Sequence, residues 1–212
     1  MLADQFFLIA HEDRTGRSRL HPRATGIGLA AALLGELILE GRLGIIGGDL
    51  ELESNHPPRD ALTHSILDLI IAQPQHRDVR TWLAYLSQDA AVRVGERLER
   101  SGAVESVTKR RMLSTQTFYM PNNEIQRNAA AWAPARLANI LVRGLDLSVT
   151  DRMLAGLVAA TGLTRHVLWD FEVHRQAFNV LPSAVASLPE DLRQLIEHTE
   201  SSVGSVLAVG RR

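Results

Sequence analysis

The stretch Ala24 to Leu43, ATGIGLAAALLGELILEGRL, is apolar nearly all round, has Glu36 inside it and ends at Gly41-Arg42. A helix without a polar face must be buried in a large core or in lipid. A membrane-spanning helix needs about 20 apolar residues, and a charge within hydrocarbon is costly. The run therefore reads as the central buried helix of a globular domain. Gly28, Ala31, Ala32 and Gly35 recur at helical spacing and let neighbouring helices approach its backbone. Glu36 then needs a partner, because an unpaired buried charge is strongly disfavoured. Arg42 or another arginine is the candidate, and a structural ion pair is favoured over a catalytic role.

Composition narrows the classes. The 212 residues suit one large domain or two small ones. There are no cysteines, hence no disulfide framework, thiol nucleophile or cysteine metal site. The start, MLADQFFLIAHED, is too acidic for a secretory signal, so a cytoplasmic location is expected. A net charge of -1 argues against nucleic-acid binding driven by bulk charge. Lys109 is the only lysine, the other basic residues being arginine. That bias fits a GC-rich bacterial genome and by itself marks no site, although arginine is the better fork for phosphate and carboxylate.

Local signals predict the remaining elements. Asp4 caps a short run from Gln5 to Ala10, and Glu12 to Gly16 reads as a turn. His21-Pro22 precedes the central helix and Gly41 stops it. Gly47-Gly48-Asp49 between apolar runs predicts a hairpin. Helices are expected over Asp60 to Ala72, Asp78 to Leu86 and from Ser87 or Asp89 to Ser101. A second hairpin follows, Val104 to Met120, with Thr108 to Arg111 as its basic tip. A helix capped by Asn122 or Asn123 should kink or split at Pro134. Helices from Ser148 to Thr161, Thr164 to Val180 and Leu192 to Leu207 complete the chain, with Pro182 and Pro189 bracketing a linker. The expected fold is mainly α: a single domain, residues 1–212, around a buried central helix, with two small β-hairpins.

No strong catalytic motif is present. GIIGGDL lacks the ending of a phosphate loop, and no GxSxG elbow occurs. The eight histidines include no HxxxH pair, so no metal site is suggested; His166 and His174 could share a face. His11-Glu12-Asp13 falls in a turn, where acidic residues serve the backbone. Trp82, Tyr85, Trp132, Trp169 and Phe171 read as core. Two features carry functional content. The 104–120 hairpin places Lys109, Arg110 and Arg111 beside Met112, Leu113, Phe118, Tyr119 and Met120. It either meets an anionic membrane or a partner, or it folds back with a solvated tip. Arg14, Arg17, Arg19 and Arg23 precede the central helix and could join Arg93 and Arg97 around a phosphate. A solvated loop is the alternative.

The order of segments carries a resemblance: the turn EDRTGR, then LLGELILEGRL, a hairpin, DALTHSILDLI, RTWLAYL, VGERLERSGAV, a basic hairpin and DRMLAGLVAATGL. It resembles the Golgi phosphoprotein 3 family over nearly the whole chain. The closest stretches are Leu34 to Leu43, Arg97 to Val104 and Asp151 to Leu157. The resemblance implies a mostly helical domain, no catalysis, no cofactor, and peripheral binding to membranes bearing phosphatidylinositol 4-phosphate. It also implies self-association or membrane contact through the hairpin, and protein partners, since eukaryotic members bind cytoplasmic tails of Golgi glycosyltransferases. By position, His21 stands where the family has a tryptophan and Ala30 where it has a pocket arginine. Later pocket arginines fall near Gln88 to Ala91, close to Arg93. The implied lipid-phosphate residues are His21, Arg93, Arg19 and Arg23. The rival reading is a winged-helix DNA-binding regulator with Lys109 to Arg111 as the wing, which the near-zero net charge opposes.

Overall fold

The computed structural model describes residues 1–111, 114–143, 147–169 and 171–209. The chain begins with α1 (Leu2–Ala10), which buries Leu2, Phe6, Phe7 and Ile9. Met1, not Asp4, holds its N-cap, without a side-chain bond; the Asp4 carboxylate is engaged elsewhere. The next helix, α2 (Pro22–Leu39), begins as the sequence predicts. His21 is its N-cap and accepts a 3.3 Å hydrogen bond from the Arg23 N–H, with Pro22 in the first turn. Gly41, at φ +63°, ends it.

Every residue of α2 from Ala24 to Leu37 is buried. By length and composition alone α2 could cross a membrane, but 78% of that window is buried within the fold. It is wrapped by α1 and by α4 (Val79–Leu86), α5 (Ala90–Arg100), α7 (Val149–Thr161) and α10 (Glu190–Val209). The glycines explain the closeness. A Cβ on Gly26 would sit 2.3 Å from the Ser87 carbonyl oxygen, and one on Gly28 2.4 Å from Cζ of Phe6.

Between these lie the predicted connections. Strands β1 (Leu43–Ile46) and β2 (Asp49–Leu52) pair antiparallel, with Ile46 opposite Asp49. Gly47 and Gly48 have φ of +62° and +90°, as a tight two-residue turn requires. Helix α3 (Ala61–Ile71) is capped by Asp60 and α4 by Asp78. Asp89 precedes α5 without a side-chain bond.

The second hairpin has a different register from the one expected. Strands β3 (Glu105–Arg111) and β4 (Ser114–Met120) pair from Glu105–Met120 to Arg111–Ser114. Thr108 to Arg111 is therefore ladder and not turn, because cross-strand pairing of β-branched and polar residues carries the strand through it. Met112 and Leu113 lie outside the described residues.

Pro134 does not split the following helix, α6 (Glu124–Arg143). A proline inside a helix costs about 3 kcal/mol, but α6 is held along its length by α1 and by α9 (Phe171–Ala186). Ser148 caps α7 and Gly162 closes it in the left-handed conformation. The expected helix from Thr164 to Val180 is instead two, α8 (Thr164–Val167) and α9, since Leu168 leaves helical geometry at φ -108°, ψ 58°. Pro182 lies within α9 and not in a linker; the adjacent Leu181 and Ala184 are buried in the core.

Three of the five aromatics expected in the core are outside it. Trp82 is buried, but Tyr85, Trp132 and Trp169 are 51%, 65% and 78% exposed. Periodicity identified a helix face but not which face turns inward. On α6 the inward face is Ala130, Ala133, Leu137 and Leu141. The side chain of Phe171 lies outside the described residues.

Arg97, and not Arg42, is the partner of Glu36. Its guanidinium lies 3.0 Å from Glu36, 2.7 Å from Asp4 and 3.0 Å from Asp60, and is 5% exposed. Glu36 also accepts the Ala3 backbone N–H at 2.8 Å. Burial disfavours the charge of Arg97, yet Glu36, Asp4 and Asp60 outweigh it and hold its pKa above the ordinary arginine value. Burial pushes the Glu36 carboxyl up, against the pull of Arg97; three carboxylates meet one guanidinium, and Asp4 also reaches the Met1 ammonium at 3.6 Å.

Replacing one partner of a buried ion pair leaves the others uncompensated, so Arg97→Met is expected to lose about 3–5 kcal/mol in urea unfolding. Adding Glu36→Leu should recover part of that loss. Gly26→Ala should cost roughly 1–3 kcal/mol by overpacking against backbone. Gly204→Ala, in an open position of α10, should instead be neutral or stabilising by up to about 1 kcal/mol. Unfolding midpoints of the two glycine variants moving in the same direction would contradict the packing account.

Candidate functional site

The loop from His11 to Leu20 is closed by its own hydrogen bonds. His11 bridges Ser18, the Arg19 N–H donates to the Ala10 carbonyl at 2.8 Å, and the Glu12 N–H donates to the Arg17 carbonyl at 2.9 Å. Ser18 Oγ lies 2.5 Å from Thr25 Oγ1, tying the loop to α2. On its other side, Gly16, at φ +65°, rests against β4, where an added Cβ would meet Phe118 and the Tyr119 carbonyl at 3.0 Å.

This latch leaves a groove of about 810 Å³ between the loop, α5 and β4. Arg17 and Pro22 form one wall, Val92 and Glu96 another, and Thr117 to Tyr119 the third. Tyr119 is packed onto Gly95, whose added Cβ would lie 2.4 Å from its ring. Burial, then the charges of Glu96 and Glu99, push the Tyr119 hydroxyl up from its usual pKa. The base of the hairpin is thus anchored on α5. Further out, Val107 is 37% exposed, and Lys109 Nζ lies 5.5 Å from the Phe118 ring centroid, a cation–π approach.

The residues singled out in the sequence divide. His21 and Arg23 are exposed at the start of α2, flanking Pro22 on the groove wall. Gln88 is exposed, and the neighbouring Ser87 carbonyl abuts Gly26, so the 87–88 turn sits beside the same end of α2. Ala30 is fully buried. Arg93 donates from Nη2 to Ser65 Oγ of α3 at 2.5 Å. Arg97 takes no part in a surface cluster, being enclosed by its three carboxylates. Arg110 and Arg111 belong to the β3 ladder. Among the described residues no group of three or more metal-ligating side chains occurs.

Arg19 lines a different cavity, of about 600 Å³, with His11 and His166, between α1, α6 and α8. His11 lines both this cavity and the groove. Its ring stacks on Phe7 at 3.9 Å between centroids, and its Nδ1 lies 2.9 Å from the Phe7 carbonyl. A carbonyl only accepts, so Nδ1 carries the proton. Burial, with a lesser contribution from Arg19, lowers its pKa to about 4. Burial and Arg19 also lower that of His166. The sequence flagged neither histidine as a site residue; the only signal at His11 was its place next to the acidic turn.

A histidine whose folded pKa lies below 6.5 favours folding while neutral. That stability is complete above pH 6.5 and is lost as the pH falls toward 4, up to about 3 kcal/mol in all. Urea stability should fall from pH 6.5 to 5, and His11→Gln should flatten the slope; an unchanged slope would contradict a buried neutral His11.

No curated protein matches the chain. The family model described as Golgi phosphoprotein 3 (GPP34) matches residues 2–199, nearly the full length, and the chain belongs to that family.

Proposed function

We propose that this protein is a non-enzymatic adaptor that docks reversibly, from the cytoplasm, on membranes carrying phosphatidylinositol 4-phosphate or a similar anionic lipid. The observation that carries this reading is the groove between the start of α2 and the hairpin. Cationic Arg17 and the exposed Arg23 stand on its α2 side, and Phe118 with Lys109 on the hairpin side. A phosphate at the arginines and an apolar contact at the hairpin together suit a headgroup at a bilayer surface. The open N-terminus of α2, capped by His21, adds partial positive charge there. Glu96 on the opposite wall keeps an anion toward α2. Arg93 serves from the neighbouring turn of α5, released from Ser65 by the lipid.

The hairpin is also proposed as a homo-oligomer contact. β3 and β4 form a two-stranded sheet whose outer edges pair with no other strand among the described residues, and such edges invite pairing. Protein partners would share that surface, and no nucleic acid is expected.

Co-sedimentation with vesicles of neutral lipid, phosphatidylinositol and its 4-phosphate tests the reading. Binding should be selective for the anionic vesicles and weaken as salt rises. Arg23→Gln and Arg93→Ala should each reduce it about fivefold, from roughly 1 kcal/mol per surface cation. Equal failure on all vesicles would refute the lipid function. Tight binding of duplex DNA at low salt would favour the winged-helix alternative.

A further inference from the structure

Pro134 breaks a local rule in a helix that nevertheless stays whole, and natural sequences keep such violations mainly at functional sites. Pro134 has no N–H, so the Ala130 carbonyl loses its usual helical donor. Both residues line the cavity that holds Arg19, His11 and His166.

We infer that this cavity is a second binding site, separate from the membrane groove, for a small amphipathic molecule with one acidic group on an apolar body. Its volume of about 600 Å³ lies within the range of small-ligand pockets. The wall supplied by α6 is small and apolar: Ala131, Ala135 and Ala138 around Pro134. Trp169, 78% exposed, lines the same cavity and adds aromatic surface to it.

The polar end sets the charge of the ligand. Arg19 is exposed and forms no ion pair among the described residues. Burial, and after it the charge of Arg19, depresses both nearby imidazoles and so favours their neutral form. Neutral His166, through its one N–H, and the amide of Asn139 can donate to a carboxylate or phosphate. Asp13, on the same lining, disfavours a second acidic group. With its Nδ1 proton on Phe7, His11 keeps Nε2 as an acceptor for a ligand hydroxyl.

A short-chain lipid acid and a water-soluble aromatic acid share this chemistry, and competition separates them. The full chain is titrated with the fluorescent sulfonate 1-anilinonaphthalene-8-sulfonate and with its uncharged relative N-phenyl-1-naphthylamine. One saturable site is expected for the sulfonate, with the uncharged dye at least tenfold weaker. Ala135→Phe, at an exposed position of α6, should abolish the site by filling it; Arg19→Gln should weaken it about tenfold. Asn139→Leu, also at an exposed position, provides a second block should Ala135→Phe fail to fold. Displacement by decanoate would support a lipid-derived occupant, and displacement by 1-naphthoate a soluble aromatic acid. Displacement by neither, or affinity unchanged in the Ala135 and Arg19 variants, would overturn the proposal. Ala135→Phe should keep wild-type vesicle binding; loss of both activities would overturn the claim that the sites are separate.

Discussion

Arg97 is the interaction on which the fold depends. It stands on α5 and joins Asp4 of α1, Glu36 of α2 and the Asp60 cap of α3. Asp60 serves twice, since the same Oδ2 that meets Arg97 accepts the N–H groups of Leu62 and Thr63. Four helices are thus pinned at one buried point. Apolar packing cannot do this alone, because it is non-directional and tolerates sliding. A charge enclosed with its partners has one low-energy geometry, and departures leave carboxylates desolvated.

From that point the functional surface follows in order. Arg97 holds α1 against α2, and α1 ends at His11, whose ring is stacked on Phe7. The loop that begins there is latched to α2 through Ser18 and Thr25 and to the hairpin through Gly16. A single loop therefore separates two recesses, the groove beside β4 and the cavity beside α6. Alternate residues of the loop serve each: Arg17 faces the groove and Arg19 the cavity.

Family membership and local chemistry bear on function differently. The family accounts for the helical layout and the protruding hairpin. The start of α2 carries His21 as a cap and Arg23 in the first turn, with Ala30 buried farther along. Specificity for any ligand there has to be argued from these side chains and not from the fold.

Helix starts and stops were legible because their chemistry is local. Asp60, Asp78 and Ser148 bond N–H groups two or three residues on, and Gly41 and Gly162 adopt left-handed backbone at the ends. The burial of the central helix was legible too, because it has no polar face, and so was the need of Glu36 for a cation. Only the tertiary structure decided which cation: Arg97 is 61 residues away, whereas Arg42, near in sequence, forms no ion pair with Glu36 and leaves its buried Nε without a partner among the described residues. The same holds for Pro134, kept helical by its neighbours, for Trp132, turned outward because alanines and leucines take the core face of α6, for the exposed Trp169, and for Arg19, parted from Arg23. Local rules reach about four residues along the chain; the choice among distant partners is made by packing, which no window of sequence contains.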